Sequence, residues 1–232
     1  MKILKTPVAA LVRAPLISAL FLAGAFAISA QPLDLITLPK PRTDGGRPLM
    51  QVIKDRQSIK DIRRDPLPLQ TLSDMLWAAF GFNRPQIAHR TAPSAMNSQE
   101  IDIYVGTAEG IYQYDATNHA LLPVAREDIR AKTGGGPFAQ EAPLALIFVA
   151  DLLKLAKAKP EERPRYAGID TGFISQNVYL FCASEGLATV VHELGERPAL
   201  AKAMRLRPDQ QIVLAQAVGY PKKPNPGEAK KE

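Results

Sequence analysis

The segment Arg56-Gln57-Ser58-Ile59-Lys60 puts two cations and a hydroxyl within five residues. A guanidinium fork beside a hydroxyl suits a phosphate, and an ammonium two residues on adds a point charge to the same anion. A solvated charged face would have the same composition, so the segment needs support from elsewhere in the chain. Residues 90–99 (RTAPSAMNSQ) form a polar, helix-poor loop bounded by Pro93, in which Ser94 brings a hydroxyl and Asn97 both a donor and an acceptor. Such a loop could cradle a heterocycle by its imide edge. Gly134-Gly135-Gly136 lacks the Gly-Lys-Ser/Thr that completes a phosphate loop, so it reads as a flexible loop or lid ahead of Pro137-Phe138.

Other chemistries are excluded by composition. The single cysteine, Cys182, leaves no disulfide framework and no cysteine-based zinc module, and it reads as a small buried hydrophobe. His89, His119 and His192 stand far apart, so no metal site is expected. The net charge of +6 shrinks once residues 1–30 are set aside. They hold Lys2, Lys5 and Arg13 and no acid, so 26 basic and 23 acidic residues remain, a balance of +3. With no Lys/Arg run before the tail, no nucleic-acid partner is expected.

The elements that must position these groups follow from periodicity. Residues 1–30 carry a positive start and then an uncharged apolar run, APLISALFLAGAFAISA, ending in small residues. This is a signal-peptide pattern, with an uncleaved membrane anchor as the alternative, and it implies export to the periplasm with membrane contact only through that segment. Residues 31–48, with four prolines, read as an extended linker or arm. The domain then covers 49–223, and 224–232 is a Pro- and Lys-rich tail. Leu72, Met75, Leu76, Ala79 and Phe80 fall at helical spacing before Gly81, predicting an amphipathic helix over 67–80. Residues 100–105 and 111–114 predict a β-hairpin, and the apolar run 144–150 a central strand. The stretch 168–185 predicts a long helix whose second half, apolar nearly all round from 178 to 183, must be buried in a core or a subunit interface. A short strand at 187–191, a helix at 196–204 and a strand at 211–218 complete an α+β domain within the chain of 232 residues.

The order Arg56-x-Ser58-x-Lys60, Pro93-Ser94-x-x-Asn97-x-Gln99, Gly186-Leu187 and Val218-Gly219-Tyr220-Pro221 before basic residues resembles the FMN-dependent nitroreductase family. The WAAFG and RTAPSA stretches resemble its branch of peptide azoline oxidases and dehydrogenases. The resemblance spans about residues 49–223. It implies a homodimeric α/β sandwich, with a central mixed, largely antiparallel sheet and FMN at the subunit interface. Arg56, Gln57 and Ser58 would then hold the phosphate, joined by Lys222 or Lys223, and Lys60 would approach the flavin N1/O2 edge. Pro93, Ser94 and Asn97 would line the polar edge of the ring, and Glu193 or Leu194 would offer a backbone N–H to N5 and O4. Lys60 and His192 are the candidate catalytic groups. The family often places an aromatic residue after the loop glutamine, where this chain has Glu100. The implied function is an FMN oxidoreductase, a dehydrogenase, oxidase or nitroreductase acting on a small molecule or peptide with an unidentified electron partner. The alternative is a non-catalytic envelope protein that keeps the fold.

Overall fold

The computed structural model describes residues 33–223. The signal segment expected at 1–30, the first two residues of the arm and the tail 224–232 lie outside the described residues. Nine strands and five α-helices are described: β1 Ile36–Thr37, α1 Leu49–Asp55, α2 Leu69–Phe80, β2 Phe82–Arg84, β3 His89–Arg90, β4 Ile101–Gly106, β5 Ile111–Asp115, β6 Ala120–Ala125, α3 Pro137–Glu141, β7 Leu144–Asp151, α4 Arg163–Ser184, β8 Ala188–His192, α5 Arg197–Ala203 and β9 Gln210–Gly219. Seven strands form one sheet in the order β1-β6-β5-β4-β7-β9-β8, and β2 and β3 pair separately. Every neighbouring pair in the large sheet is antiparallel.

The apolar run at β7 is a strand because both of its faces are covered, and all eight of its residues are buried. Alternation decides which cover each meets. Leu144, Leu146, Phe148 and Ala150 pack with Met75, Leu76 and Phe80 of α2 and Ile174, Val178 and Cys182 of α4. Ala145, Ile147 and Val149 pack with Leu200 and Met204 at the other face. The result is the sandwich that the resemblance implies.

The expected hairpin forms with Tyr104 opposite Gln113 and Gly106 opposite Ile111. Helix α2 begins two residues later than expected and ends at Gly81, whose backbone is extended at φ −74° rather than left-handed. Glycine is needed there for space, because a Cβ would stand 2.5 Å from Trp77 Cδ1. Helix α4 starts five residues before the expected 168, with Pro164 in its first turn, where proline costs no hydrogen bond. It ends as expected at Gly186, at φ +70°, with the Leu187 N–H reaching back 2.8 Å to the Cys182 carbonyl. Strand β6 is unexpected because Pro123 breaks its pattern. Pro123 is tolerated because β1 pairs β6 only at Ala120 and Leu121, leaving an unpaired edge beyond.

The described part of the arm, 33–48, is docked rather than loose. Ser73 Oγ donates to the Pro39 carbonyl at 2.6 Å, and Arg42 binds Asp74 through its backbone N–H at 2.7 Å and Nε at 2.8 Å. Burial acts to raise the Asp74 pKa, but the bonds from Arg42 and Gln70 outweigh it and hold the carboxyl below its ordinary value. Among the described residues no helix is long and apolar enough to cross a membrane.

Candidate active site

After α1, residues 56–62 run as an extended strip along β8, which is an outer strand of the sheet. Ile59 N–H donates to the Thr189 carbonyl at 3.0 Å, and Arg63 N–H to the Tyr220 carbonyl at 2.7 Å. Lys222 N–H returns to the Asp61 carbonyl at 2.8 Å, which places Lys222 and Lys223 beside the strip. Strip and C-terminal turn thus arrive together through backbone bonds, independent of their side chains.

Tyr179 of α4 organises the middle of the strip. Its hydroxyl accepts the Val191 N–H at 2.9 Å and lies 2.9 Å from Ser58 Oγ, while the Arg56 guanidinium sits 5.2 Å above its ring. Phe138 of α3 does the same for the far end. Lys60 Nζ lies 5.6 Å above the Phe138 ring, and the ring meets His192 edge-on with centroids 5.6 Å apart. Among the described residues Arg56, Lys60 and Lys223 have no ion-pair partner. Lys222 is already bound to Glu141, 3.1 Å away, which also takes Arg64 and is held below the ordinary carboxylate range by the two cations. Gln57 is exposed. Neither Tyr179 nor Phe138 was assigned to the site from sequence, because an aromatic on an apolar helix reads as packing.

His192 is buried, with Nδ1 3.2 Å from the Glu193 carbonyl. That bond assigns the ring proton to Nδ1 and leaves Nε2 as a buried acceptor, without a partner among the described residues. Burial lowers its pKa more than the Glu193 bond raises it, so the imidazole is neutral at pH 7 and can accept a proton there. Cys182 takes no part: it is fully buried, and desolvation pushes its thiol well above the ordinary value.

The segment 193–195 is shaped by the glycine run. A Cβ on Gly134, at φ +92°, would stand 2.4 Å from the Glu193 carbonyl oxygen and 2.6 Å from Gly195 N. One on Gly135 would stand 2.9 Å from the His192 ring and from Phe138. Gly134 and Gly135 are therefore close-packed supports, while a Cβ on Gly136 would meet open space. Gly134→Ala should cost about 1–3 kcal/mol in backbone strain alone and lower the melting midpoint by roughly 2–10 °C. A calorimetric midpoint unchanged from the parent would contradict this packing.

The loop after β3 is held differently. Arg90 lies between the rings of Phe80 and Phe82, 4.5 Å from each, and donates to the Phe80 carbonyl and Gln99 Oε1. Ser94 Oγ accepts the Gln99 N–H at 3.0 Å, Asn97 Oδ1 accepts from the Gln99 amide at 3.1 Å, and Asp170 Oδ2 accepts the Ala95 N–H at 2.7 Å. Met96, Asn97 and Gln99 all have φ near +50°. One lone pair of the Asn97 oxygen is thus taken by Gln99, and its amide N–H groups and second lone pair are left for a ligand.

The two sets of expected residues are fastened at different points of α4. The loop 93–97 is tied to Asp170, whereas the strip 56–60 is tied to Tyr179, nine residues or about 13 Å further along α4. Among the described residues no cluster of three metal-ligating side chains occurs.

A sandwich of this topology, with an anion-suited strip at its sheet edge, defines the nitroreductase-like class. The chain belongs to the nitroreductase family, whose model matches residues 53–220. "Putative nitroreductase MJ1384" of Methanocaldococcus jannaschii is 30% identical over 152 residues, which are 61% of this chain and 76% of that relative. A crystal structure described as a putative nitroreductase from Ralstonia eutropha is 39% identical, with a TM-score of 0.78 over 82% of this chain and 90% of its own. The Escherichia coli microcin synthetase McbBCD complex, with truncated pro-MccB17 bound, shares the fold at 20% identity and a TM-score of 0.66, covering 90% of this chain and 85% of that one. Family membership indicates an oxidoreductase.

Proposed function

We propose that the protein is an exported, homodimeric FMN-dependent oxidoreductase in which each flavin is held between two subunits. The observation that carries this reading is the grouping of Arg56, Ser58 and Lys60 on one exposed strip, with both cations unpaired among the described residues and backed by Tyr179 and Phe138. That donor set fits a phosphate at one end and an electron-rich ring edge at the other. The ring-edge loop of the same chain is fastened at a separate point of α4, so a second subunit is the natural source of Ser94 and Asn97. Polar donors beside the rings of Tyr179 and Phe138 suit an organic cofactor.

When bound, FMN would supply the two-electron chemistry, passing a hydride through N5. Arg56, Ser58 and Lys223 would anchor the phosphate, with Lys222 joining once it leaves Glu141. Lys60 would place positive charge toward N1/O2, where negative charge collects on reduction. The backbone at Glu193 and Leu194 would face N5 and O4, and neutral His192 beneath it could take up a proton at Nε2. Outside the cytoplasm NAD(P)H is not at hand. The electrons then come from a quinone, a partner protein or the substrate itself, which favours a dehydrogenase or oxidase. The resemblance of WAAFG and RTAPSA to the peptide azoline branch favours a small-molecule or peptide substrate.

Lys60→Met keeps the stem and removes the charge, so it should lower the flavin reduction potential by roughly 20–40 mV. Lys60→Arg should stay near the parent. A redox titration placing Lys60→Met within ~10 mV of the parent would remove Lys60 from the ring edge.

A further inference from the structure

Resting on the flavin reading above, we propose that Glu100 is a positioning residue: as a neutral carboxylic acid it donates to the Asp170 carboxylate and so holds the Ser94–Asn97 loop in its binding shape. Glu100 begins where the loop ends and β4 starts, and its side chain has no exposure. No other residue among those described donates to either of its carboxylate oxygens. A buried carboxylate without donors is costly, whereas a carboxylic acid needs one acceptor. Asp170 of α4 stands at hydrogen-bonding reach and is itself buried. Its Oδ2 takes the Ala95 N–H at 2.7 Å, so the charge that anchors the loop is also the acceptor for the Glu100 proton.

The other charged groups around Glu100 are engaged elsewhere. Lys154, beyond β7, is 2.9 Å from Asp102 of β4, and Asp151 at the end of β7 is 2.9 Å from Arg207. Arg90 of β3 is spent on Gln99 and Phe80. Burial dominates and raises the Glu100 pKa from 4.5 to about 7; its own backbone N–H opposes this most, Asp170 adds to the rise by its bond and its charge, and Lys154 opposes least. The sign follows directly. With the loop seated Glu100 keeps its proton up to about pH 7, and with the loop released it loses it near 4.5, so the seated form is favoured at low pH and loses ground as pH rises across that window. Above it the cost is constant.

The test is amide hydrogen exchange at Ala95 in the flavin-free protein between pH 4.5 and 8.5, corrected for intrinsic rates, in the parent and in Glu100→Gln. The amide side chain keeps the shape and the donor of the neutral acid but cannot ionise. In the parent the opening constant should rise about tenfold per pH unit from 4.5 to about 7 and then level off; in Glu100→Gln it should stay flat. FMN affinity, measured in parallel, should fall over the same window in the parent relative to Glu100→Gln. A flat parent profile overturns the proposal even if the variant does not fold, as does the same slope in both proteins or an exchange profile that FMN affinity ignores. Failure of both proteins to bind FMN at any pH sinks the flavin reading separately, and the Ala95 profile still decides whether the pair holds the loop.

Discussion

Phe173→Glu and Met50→Glu are each expected to give a soluble monomer that has lost its flavin. Met50 of α1 is 75% exposed, with Leu49 at 61% and Ile53 at 49% on the same helix, and Ile169 and Phe173 of α4 are 44% and 46% exposed. Helix α1 packs against α4, so all five stand on two neighbouring helices. Single exposed apolar residues are ordinary, but several on one pair of packed helices nominate an interface. A glutamate there must be desolvated without a partner when two subunits meet, which costs several kcal/mol and weakens the dimer about a hundredfold or more. Because the strip and the ring-edge loop would meet only across the dimer, flavin should leave with the partner. Sedimentation with absorbance at the flavin band reads both at once. Variants that stay dimeric and yellow, or a parent that is monomeric and still holds FMN, would refute the shared site. Tyr179 and Leu180, which the apolar stretch of α4 would nominate equally, make poorer probes, since Tyr179 also fixes Ser58 and Val191 within its own chain.

Arg56→Ala should weaken FMN about tenfold or more while leaving riboflavin affinity within about twofold, because a charge-assisted bond to a partly desolvated anion is worth about 1.5–3 kcal/mol. The guanidinium is half-buried over the Tyr179 ring, so it is oriented before any ligand arrives and loses little entropy on binding. Fluorescence-quenching titrations with the two flavins isolate the phosphate. An equal loss for both would mean that Arg56 supports the ring or the fold instead, and would move the phosphate to Lys222 and Lys223.

Much of the scaffold was legible because its signals are periodic. The α2 stripe, the β4–β5 alternation and the unbroken β7 run each state how many faces are covered, and Gly186 ends its helix by the backbone conformation only glycine adopts freely. Strand β6 was not, since Pro123 forbids a central strand and nothing local says that its neighbour stops short. Within the site, the residues that could bind could be named from type and spacing, but those that hold them could not. Tyr179 meets Ser58 across 121 positions and Asp170 meets Ala95 across 75, contacts fixed by how α4 crosses the sheet. The triple glycine reads from sequence as a flexible loop or lid, and nothing local says that Gly134 and Gly135 also serve close packing against Glu193 and His192.

The measurement that bears most directly on the account is the flavin content of the purified protein. A visible spectrum, followed by denaturation and separation of any released cofactor, counts it. The account predicts a yellow dimer, with FMN rather than FAD or riboflavin, at about one per chain or restored to that level by incubation with FMN. A colourless protein that takes up no FMN on reconstitution would contradict it and leave a nitroreductase fold put to non-catalytic use in the cell envelope.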